Sequence, residues 1–463
     1  MDKFIRSVRL DEAACQGCIN CIKYCPTQAI RVHNGKAHII DKFCIDCGRC
    51  IRYCPHHAKI PNYDSLTVMN NYKYTVALPA PSLYAQYNNL SNVDIVLNAL
   101  LKLGFDDVYE VSAAAELVSE ASREYMKEHE NDGPFISTAC PSVVRLIRVK
   151  FPVLLPKLLP LKPPVEVAAE IARARAIEKT GLPSKDIGII FISPCPSKVS
   201  YAKAPLGIDK SNIDNVVAIK DVYPLLLPLM SRDENQLKPL SHSGRIGLGW
   251  SNAGGEVGGL LIDSYLAADG IVNILRVLEE IEDEKIHGLK FIELNACNGG
   301  CVGGTLTVEN AYVATTKTKR LLRYQPVARE HLSSHPELTD IGWDDHVEYE
   351  PVFRLGNTFK ESLEMMGKVE ELTKKFPGLD CGSCGAPTCQ TLAEDIVRGA
   401  ATPNDCIYVL REHIASLSKE IDYISSSPED SGRSPEENQK LLHEYIDRLK
   451  TELSAFGVPE HKK

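Results

Sequence analysis

The sequence predicts an α/β body at residues 72–366 between two small cysteine-rich segments, 1–64 and 367–412, with a linker and helix at 413–463. Three observations predict this layout. Short β-rich runs alternate with helical stretches between about residues 72 and 330, as in layered α/β folds. Apolar residues in the helical stretches recur at three- and four-residue intervals, with charges filling the gaps. The 16 cysteines of the 463-residue chain crowd into tight groups outside the body and stand far apart within it.

Size and charge narrow the function. Single cores seldom grow past about 250–300 residues, so the chain has room for several folded units. Apolar residues at 44% and charged ones at 24% are ordinary for a globular protein. A net charge of -9 argues against nucleic acid as a partner. Arg145, Arg148 and Lys150 cluster, but no aromatic is interleaved to stack on bases, so they read as a solvated helix face. The charged opening at 1–6 and the lack of any run near the ~18 apolar residues of a spanning helix lead us to expect no membrane partner and a cytoplasmic location. Cytosolic thiols stay reduced, so the cysteines point to metal.

In chain order, the run Cys15-x2-Cys18-x2-Cys21-x3-Cys25-Pro26 comes first and returns at Cys44, Cys47, Cys50 and Cys54-Pro55, a repeat offset by 29 residues. Strands are expected at 74–78, 187–192 and 289–294, and sheet-covering helices at 113–127, 141–151 and 165–179. Next comes Cys381-x2-Cys384-x4-Cys389-x16-Cys406, tightened by Gly382, Gly385 and Pro387, then a polar linker at 425–432. The last element is an amphipathic helix at 437–455, with Leu441, Leu442, Tyr445, Ile446 and Leu449 near one face. That face suits a homodimer or partner contact as well as packing back on the body.

The doubled C-x2-C-x2-C-x3-C-P run is an iron–sulfur spacing in which three close thiolates grip one cubane and the fourth reaches the neighbouring one. By this logic Cys15, Cys18, Cys21 and Cys54 hold one [4Fe–4S] cluster, and Cys44, Cys47, Cys50 and Cys25 hold the second. Zinc is the competing reading of C-x2-C, and it competes harder for the group at 381–406. We expect a third [4Fe–4S] cluster there, because Cys-Gly-x-Cys-Gly-x-Pro-Thr-Cys resembles a known small iron–sulfur domain. The other cysteines, Cys140, Cys195, Cys297 and Cys301, each follow a predicted strand or sit in a glycine-bearing turn. Ligands gather at the carboxyl ends of strands in open α/β sheets, so these would converge on a fourth cubane.

Residues 1–64 resemble a dicluster ferredoxin, an α+β unit. Thr138-Ala139-Cys140-Pro141, Ser193-Pro194-Cys195-Pro196-Ser197-Lys198 and Glu293-Leu294-Asn295-Ala296-Cys297-Asn298-Gly299-Gly300-Cys301 resemble the three cluster-binding motifs of [FeFe]-hydrogenases. The resemblance spans roughly residues 72–330, with further matches at 79–82, 112–117 and 251–257. It implies an H-cluster domain whose cubane is bridged by one thiolate to a diiron unit carrying CO, cyanide and azadithiolate. Cys301 matches the bridging position, and Lys198 matches the lysine that pairs with a cyanide. Pro81 and Ser82 would line the opposite side. H2 and protons as substrates, a redox partner protein and maturation factors are likewise implied.

The chain departs from that pattern at several positions. Ala139 stands where active members place a proton-passing cysteine, and a methyl has no exchangeable proton. Ser193 and Asn295 stand where methionines are common, and Tyr201 follows Lys198 where a glutamate is usual. These losses resemble the sensory branch called group D. They lead us to expect a slow [FeFe]-hydrogenase, with Glu116, Glu120, Glu124 and Tyr201 as candidates for another proton route or for plain surface and capping roles. The competing expectation is a non-catalytic electron carrier or cluster scaffold without the diiron unit.

Overall fold

The computed structural model describes residues 6–231, 233, 236–338, 340–425 and 434–455. Most of the charged opening at 1–6, nearly all of the linker at 425–432 and the side chain of Leu449 lie outside the described residues. Contacts divide the chain into two units, Met1–Arg354 and Leu355–Lys463.

The first unit begins with β1 (Val8–Leu10), α1 (Asn20–Lys23), β2 (Ile30–His33), β3 (Lys36–Ile39), α2 (Arg49–Arg52) and β4 (Lys59–Pro61). Strand β1 pairs antiparallel with β4, and β2 with β3. The repeat seen in the sequence is thus a structural one, each half giving a cysteine loop, a one-turn helix and a strand.

The α/β body follows with β5 (Tyr74–Pro79), α3 (Asp94–Leu103), β6 (Asp107–Val108), α4 (Val111–Glu128), β7 (Phe135–Ile136), α5 (Pro141–Lys150) and α6 (Pro164–Thr180). It continues with β8 (Ile187–Ser193), α7 (Pro196–Lys203), β9 (Asn215–Ala218), α8 (Ile219–Leu226), α9 (Arg245–Gly249) and α10 (Gly255–Leu260). It ends with β10 (Tyr265–Asp269), α11 (Ile271–Glu282), β11 (Phe291–Asn295) and α12 (Ala311–Leu322). The predicted strands and helices form within a few residues of their expected ends.

The strands make two parallel sheets, β6-β5-β8-β9 and β10-β11-β7. Strand β8 shows why its run is apolar without alternation. Ile187, Ile189 and Phe191 enter the core under α4 and α6, while Ile190 and Ile192 enter the core under α3 and α8. A parallel strand covered on both faces has no solvent side. Each such side chain contributes about 1.5–3 kcal/mol by leaving water.

The second unit contains α13 (Phe359–Lys375), α14 (Cys389–Val397), α15 (Ile407–Ser425) and α16 (Pro435–Ala455). Helix α13 packs on α14, which draws it into the unit of the C-terminal cysteines, whereas the expected dividing line at 366 cuts through it. Helix α16 lies on α15, where Tyr445 is buried and its hydroxyl donates to the Leu417 carbonyl at 3.1 Å. No helix among the described residues is long and apolar enough to cross a membrane.

Candidate active site and cluster cavities

In the N-terminal segment, Cys15, Cys18, Cys21 and Cys54 line one small cavity, and Cys25, Cys44, Cys47 and Cys50 line another. Each run's fourth cysteine has crossed to the other run's trio. The amides of Ala29 and Ala58 donate to Cys25 Sγ and Cys54 Sγ at 3.2 and 3.3 Å. Gly48, at φ +71°, lets the second loop close on the body, since a Cβ there would stand 2.4 Å from Thr305 Oγ1. Burial pushes the Cys21 thiol up to about 11 and the Cys50 thiol up to about 12. Buried sulfurs converging on small cavities fit iron–sulfur clusters, where coordination keeps them as thiolates that burial otherwise disfavours. Among the described residues no group of three or more His, Cys, Asp or Glu closes tightly enough for a single metal ion.

The body's cavity lies where the two sheets meet. Strands β7, β8 and β11 do not share one sheet, yet Ala139, Pro194 and Asn295 at their carboxyl ends all line it. Its free space, mouth included, is about 590 Å³. Pro81 and Ser82 line it, as do Lys198 and Cys301. Lys198 sits near the start of α7, with Nζ 3.5 Å from Cys301 Sγ. Burial disfavours its ammonium, but Cys301, Cys195 and Cys140 raise its pKa above the ordinary lysine value. Burial pushes Cys195 up to about 11 against the pull of Lys198, and Cys301 and Cys140 are close enough to add to the rise. Cys297 is raised by burial and then by the same three cysteines, so the four remote thiols do meet.

Of the residues singled out in the motifs, Ala139 and Asn295 line the cavity. Ser193 does not. It is fully buried, donating to the Cys195 carbonyl at 3.0 Å and accepting from the Cys195 amide at 3.3 Å, so it shapes the cysteine turn instead. Glu116 is consumed as an acceptor for the amides of Gly244, Gly247, Arg329 and Glu330, and Glu120 accepts from the Leu332 amide. Glu124 is exposed, and the Tyr201 hydroxyl is buried without a hydrogen-bond partner among the described residues.

A pair of carboxylates within the quoted segments was assigned no role from the sequence. Glu256, at the start of α10, and Glu293, within β11, are both buried in the cavity wall. Ser137 Oγ donates to Glu256 Oε2 at 2.5 Å and accepts from the Ala139 amide at 3.3 Å. Glu293 accepts from the amides of Gly254 and Val257 at 2.8 and 3.0 Å and from Asn295 Nδ2 at 2.7 Å. Burial and then the neighbouring Glu293 push Glu256 up to about 8. Burial raises Glu293 as well, but its amide donors and Asn295 oppose that rise, so of the pair Glu256 is the better proton holder. The readable signal was an acid inside an otherwise apolar strand.

In the second unit, Cys384, Cys389 and Cys406 share one small core, and Cys381 and Cys406 both act on the Cys384 thiol. Asp380 Oδ1 accepts the Cys389 amide at 2.7 Å, tying the loop to the start of α14. Gly382 and Gly385 adopt positive φ in this loop.

The fold and these cavities define an iron–sulfur protein with a cysteine-lined pocket between its two parallel sheets. The family described as "Iron only hydrogenase large subunit, C-terminal domain" matches residues 73–255 and 232–305, half of the chain, and the chain belongs to that family. "4Fe-4S dicluster domain" matches 7–55, and "Putative Fe-S cluster" matches 376–408. Iron hydrogenase 1 of Clostridium pasteurianum is 24% identical over 292 residues, 50% of each chain. The cytosolic Fe-S cluster assembly factor NAR1 of Scheffersomyces stipitis is 27% identical over 155 residues, 31% of this chain and 28% of that one. A variant of [FeFe]-hydrogenase HydA1 from Chlamydomonas reinhardtii aligns in structure with a TM-score of 0.44 and 17% identity, covering 57% of this chain and 88% of that one. The chain spans about half the length of the hydrogenase from Clostridium.

Proposed function

We propose that the chain is a slow [FeFe]-hydrogenase that interconverts H2 with protons and electrons, of the sensory type called group D. One observation carries this reading: Lys198 Nζ and Cys301 Sγ meet in the wall of a pocket that also receives Pro81, Ser82 and Ala139. When bound, a diiron unit with CO, cyanide and azadithiolate supplies the metal centre for the reaction. Cys140, Cys195, Cys297 and Cys301 would hold its cubane, Cys301 would bridge, Lys198 would bind cyanide, and Pro81 and Ser82 would line the far side. Ala139 offers no proton, but its amide donates to Ser137, which in turn donates to Glu256. Burial and then the charge on Glu293 hold a proton on Glu256 against the pull of the Ser137 hydrogen bond, which makes it the candidate proton carrier of this wall. Asn295 orients Glu293.

The three other cysteine sets would hold [4Fe–4S] clusters, giving four in all and serving as electron stations toward a redox partner protein. Maturation factors would deliver the diiron unit. The sixteen free thiols suit a reducing, cytoplasmic setting. Infrared spectroscopy on protein matured with the diiron cofactor tests the reading, with carbonyl and cyanide bands and measurable H2 turnover expected. Protein showing neither the bands nor the turnover removes it.

The second reading, a cluster scaffold or electron carrier that never takes the diiron unit, is favoured by the similarity to an assembly factor. It expects iron of about sixteen per chain after maturation, where the hydrogenase reading expects about eighteen.

A further inference from the structure

The two halves of the N-terminal repeat are nearly superimposable in sequence spacing, so any residue that breaks the match stands out. Counting 29 residues on from Ile30 gives Lys59. Both are 2% exposed. Ile30 lines the cavity of Cys25, Cys44, Cys47 and Cys50, and Lys59 lines that of Cys15, Cys18, Cys21 and Cys54. One half therefore places a methylated side chain where the other places an amine.

Lys59 Nζ has no hydrogen-bond partner among the described residues. Burying an ammonium without a partner is costly, and a core position does not keep one unless something opposes its charge. The groups that share its cavity wall are the thiols of Cys15, Cys18, Cys21 and Cys54. A second break in the repeat is Asp46, buried where the first half has Gly17, with its Oδ1 3.7 Å from Cys44 Sγ. Asp46 is not an isolated charge, since the Arg145 guanidinium acts on it and the Ser7 amide donates to it at 3.1 Å. Lys59 is thus a fully buried cation of its cavity, whereas Arg49, which lines the other one, is half-buried over the Tyr24 and Tyr53 rings.

We propose that Lys59 sets the two N-terminal clusters at unequal potentials, making the one held by Cys15, Cys18, Cys21 and Cys54 the more easily reduced. An added electron makes a cluster more negative, and an ammonium fixed in a dry wall favours that form. The favoured cluster is also the outer one. Cys25, Cys44 and Cys47 pack on the core that holds Cys140, Ile292 and Leu294, and Arg52 donates to the Gly303 carbonyl, whereas Cys15, Cys21 and Cys54 pack in the segment's own small core. Electrons arriving from the body run downhill to the outer cluster and rest there, where a partner can collect them. Lys59 is a potential-setting residue and touches no substrate.

The inference rests on the cluster assignment of the proposed function but not on the diiron unit. The test is therefore made on the full chain loaded with [4Fe–4S] clusters alone, by redox titration followed by EPR, reading the magnetically coupled pair of neighbouring clusters. In the unaltered protein the pair reduces in two separate steps. In Lys59→Met the easier step moves down by about tenfold in its reduced-to-oxidised ratio, about 59 mV for one electron, and the harder step moves less. Lys59→Arg, which keeps the charge, keeps the gap. Equal midpoints in the unaltered protein overturn the proposal without any variant, as does a Lys59→Met gap that matches the unaltered one. A gap in the unaltered protein that Lys59→Met narrows supports the proposal even if separately matured protein shows no H2 turnover, a result that would count against the hydrogenase reading alone.

Discussion

A carboxyl group buried beside a second carboxyl holds its proton far longer than one in water, and Glu256 is in that position. Its ordinary value is 4.5 and its value in the fold is about 8. The unfolded chain releases this proton near the lower value and the folded chain retains it, so stability falls as pH rises through that window and levels off above it. Glu256→Gln should flatten that decline and raise the melting temperature above pH 8, checked by calorimetry across pH. The same variant should lower H2 turnover by about a hundredfold or more and remove the alkaline limb of the rate profile. Unchanged profiles of both kinds would mean the pair does not titrate. The motifs made Lys198 and Cys301 legible, because their chemistry is tied to fixed neighbours in the chain. Glu256 was not legible, because an acid after two glycines looks the same as a helix cap until Glu293 and Ser137 are seen beside it.

The turn between Cys297 and Cys301 shows what an element must do to bring distant thiols together. Gly300 has φ +85° and ψ -156°, a region open almost only to glycine, and a Cβ there would stand 2.5 Å from the Ala253 amide nitrogen. Backbone meets backbone at this point, so the clash has no side chain to yield. Gly300→Ala should destabilise the first unit by about 1–3 kcal/mol and reduce cluster loading at Cys297 and Cys301. Iron content and thermal melting check it, with unaltered loading counting against a rigid turn. Strand positions were readable because buried parallel strands are written as apolar runs. That β7 and β11 leave β8 for a second sheet was not readable. Strand β7 is two residues long, and its partner lies about 155 positions away, so no local pattern encodes the pairing.

At the scale of the whole molecule, the cysteine sets are divided between the two units, three in Met1–Arg354 and one in Leu355–Lys463. The repeat and the C-terminal group were visible as spacing, whereas the set built from Cys140, Cys195, Cys297 and Cys301 was read from the strand ends and glycine-bearing turns that carry them, since nothing in chain distance joins them. The place where α13 belongs was hidden for a related reason: its apolar face reads the same whichever neighbour covers it, and only the packing on α14 decides. Metal binding is folding energy wherever the ligands form part of a small core, and Cys406, Cys384 and Cys389 are core residues of the second unit. Cys406→Ser removes one of the proposed ligands by a change confined to the second unit. Iron should fall by about four atoms per chain, the corresponding EPR signal should vanish, and the melting step of the second unit should move down. The first unit's melting step should stay in place, because a separate hydrophobic core sets it. A variant that loses iron from every set, or that shifts both steps together, would show that the two units do not fold as separate bodies.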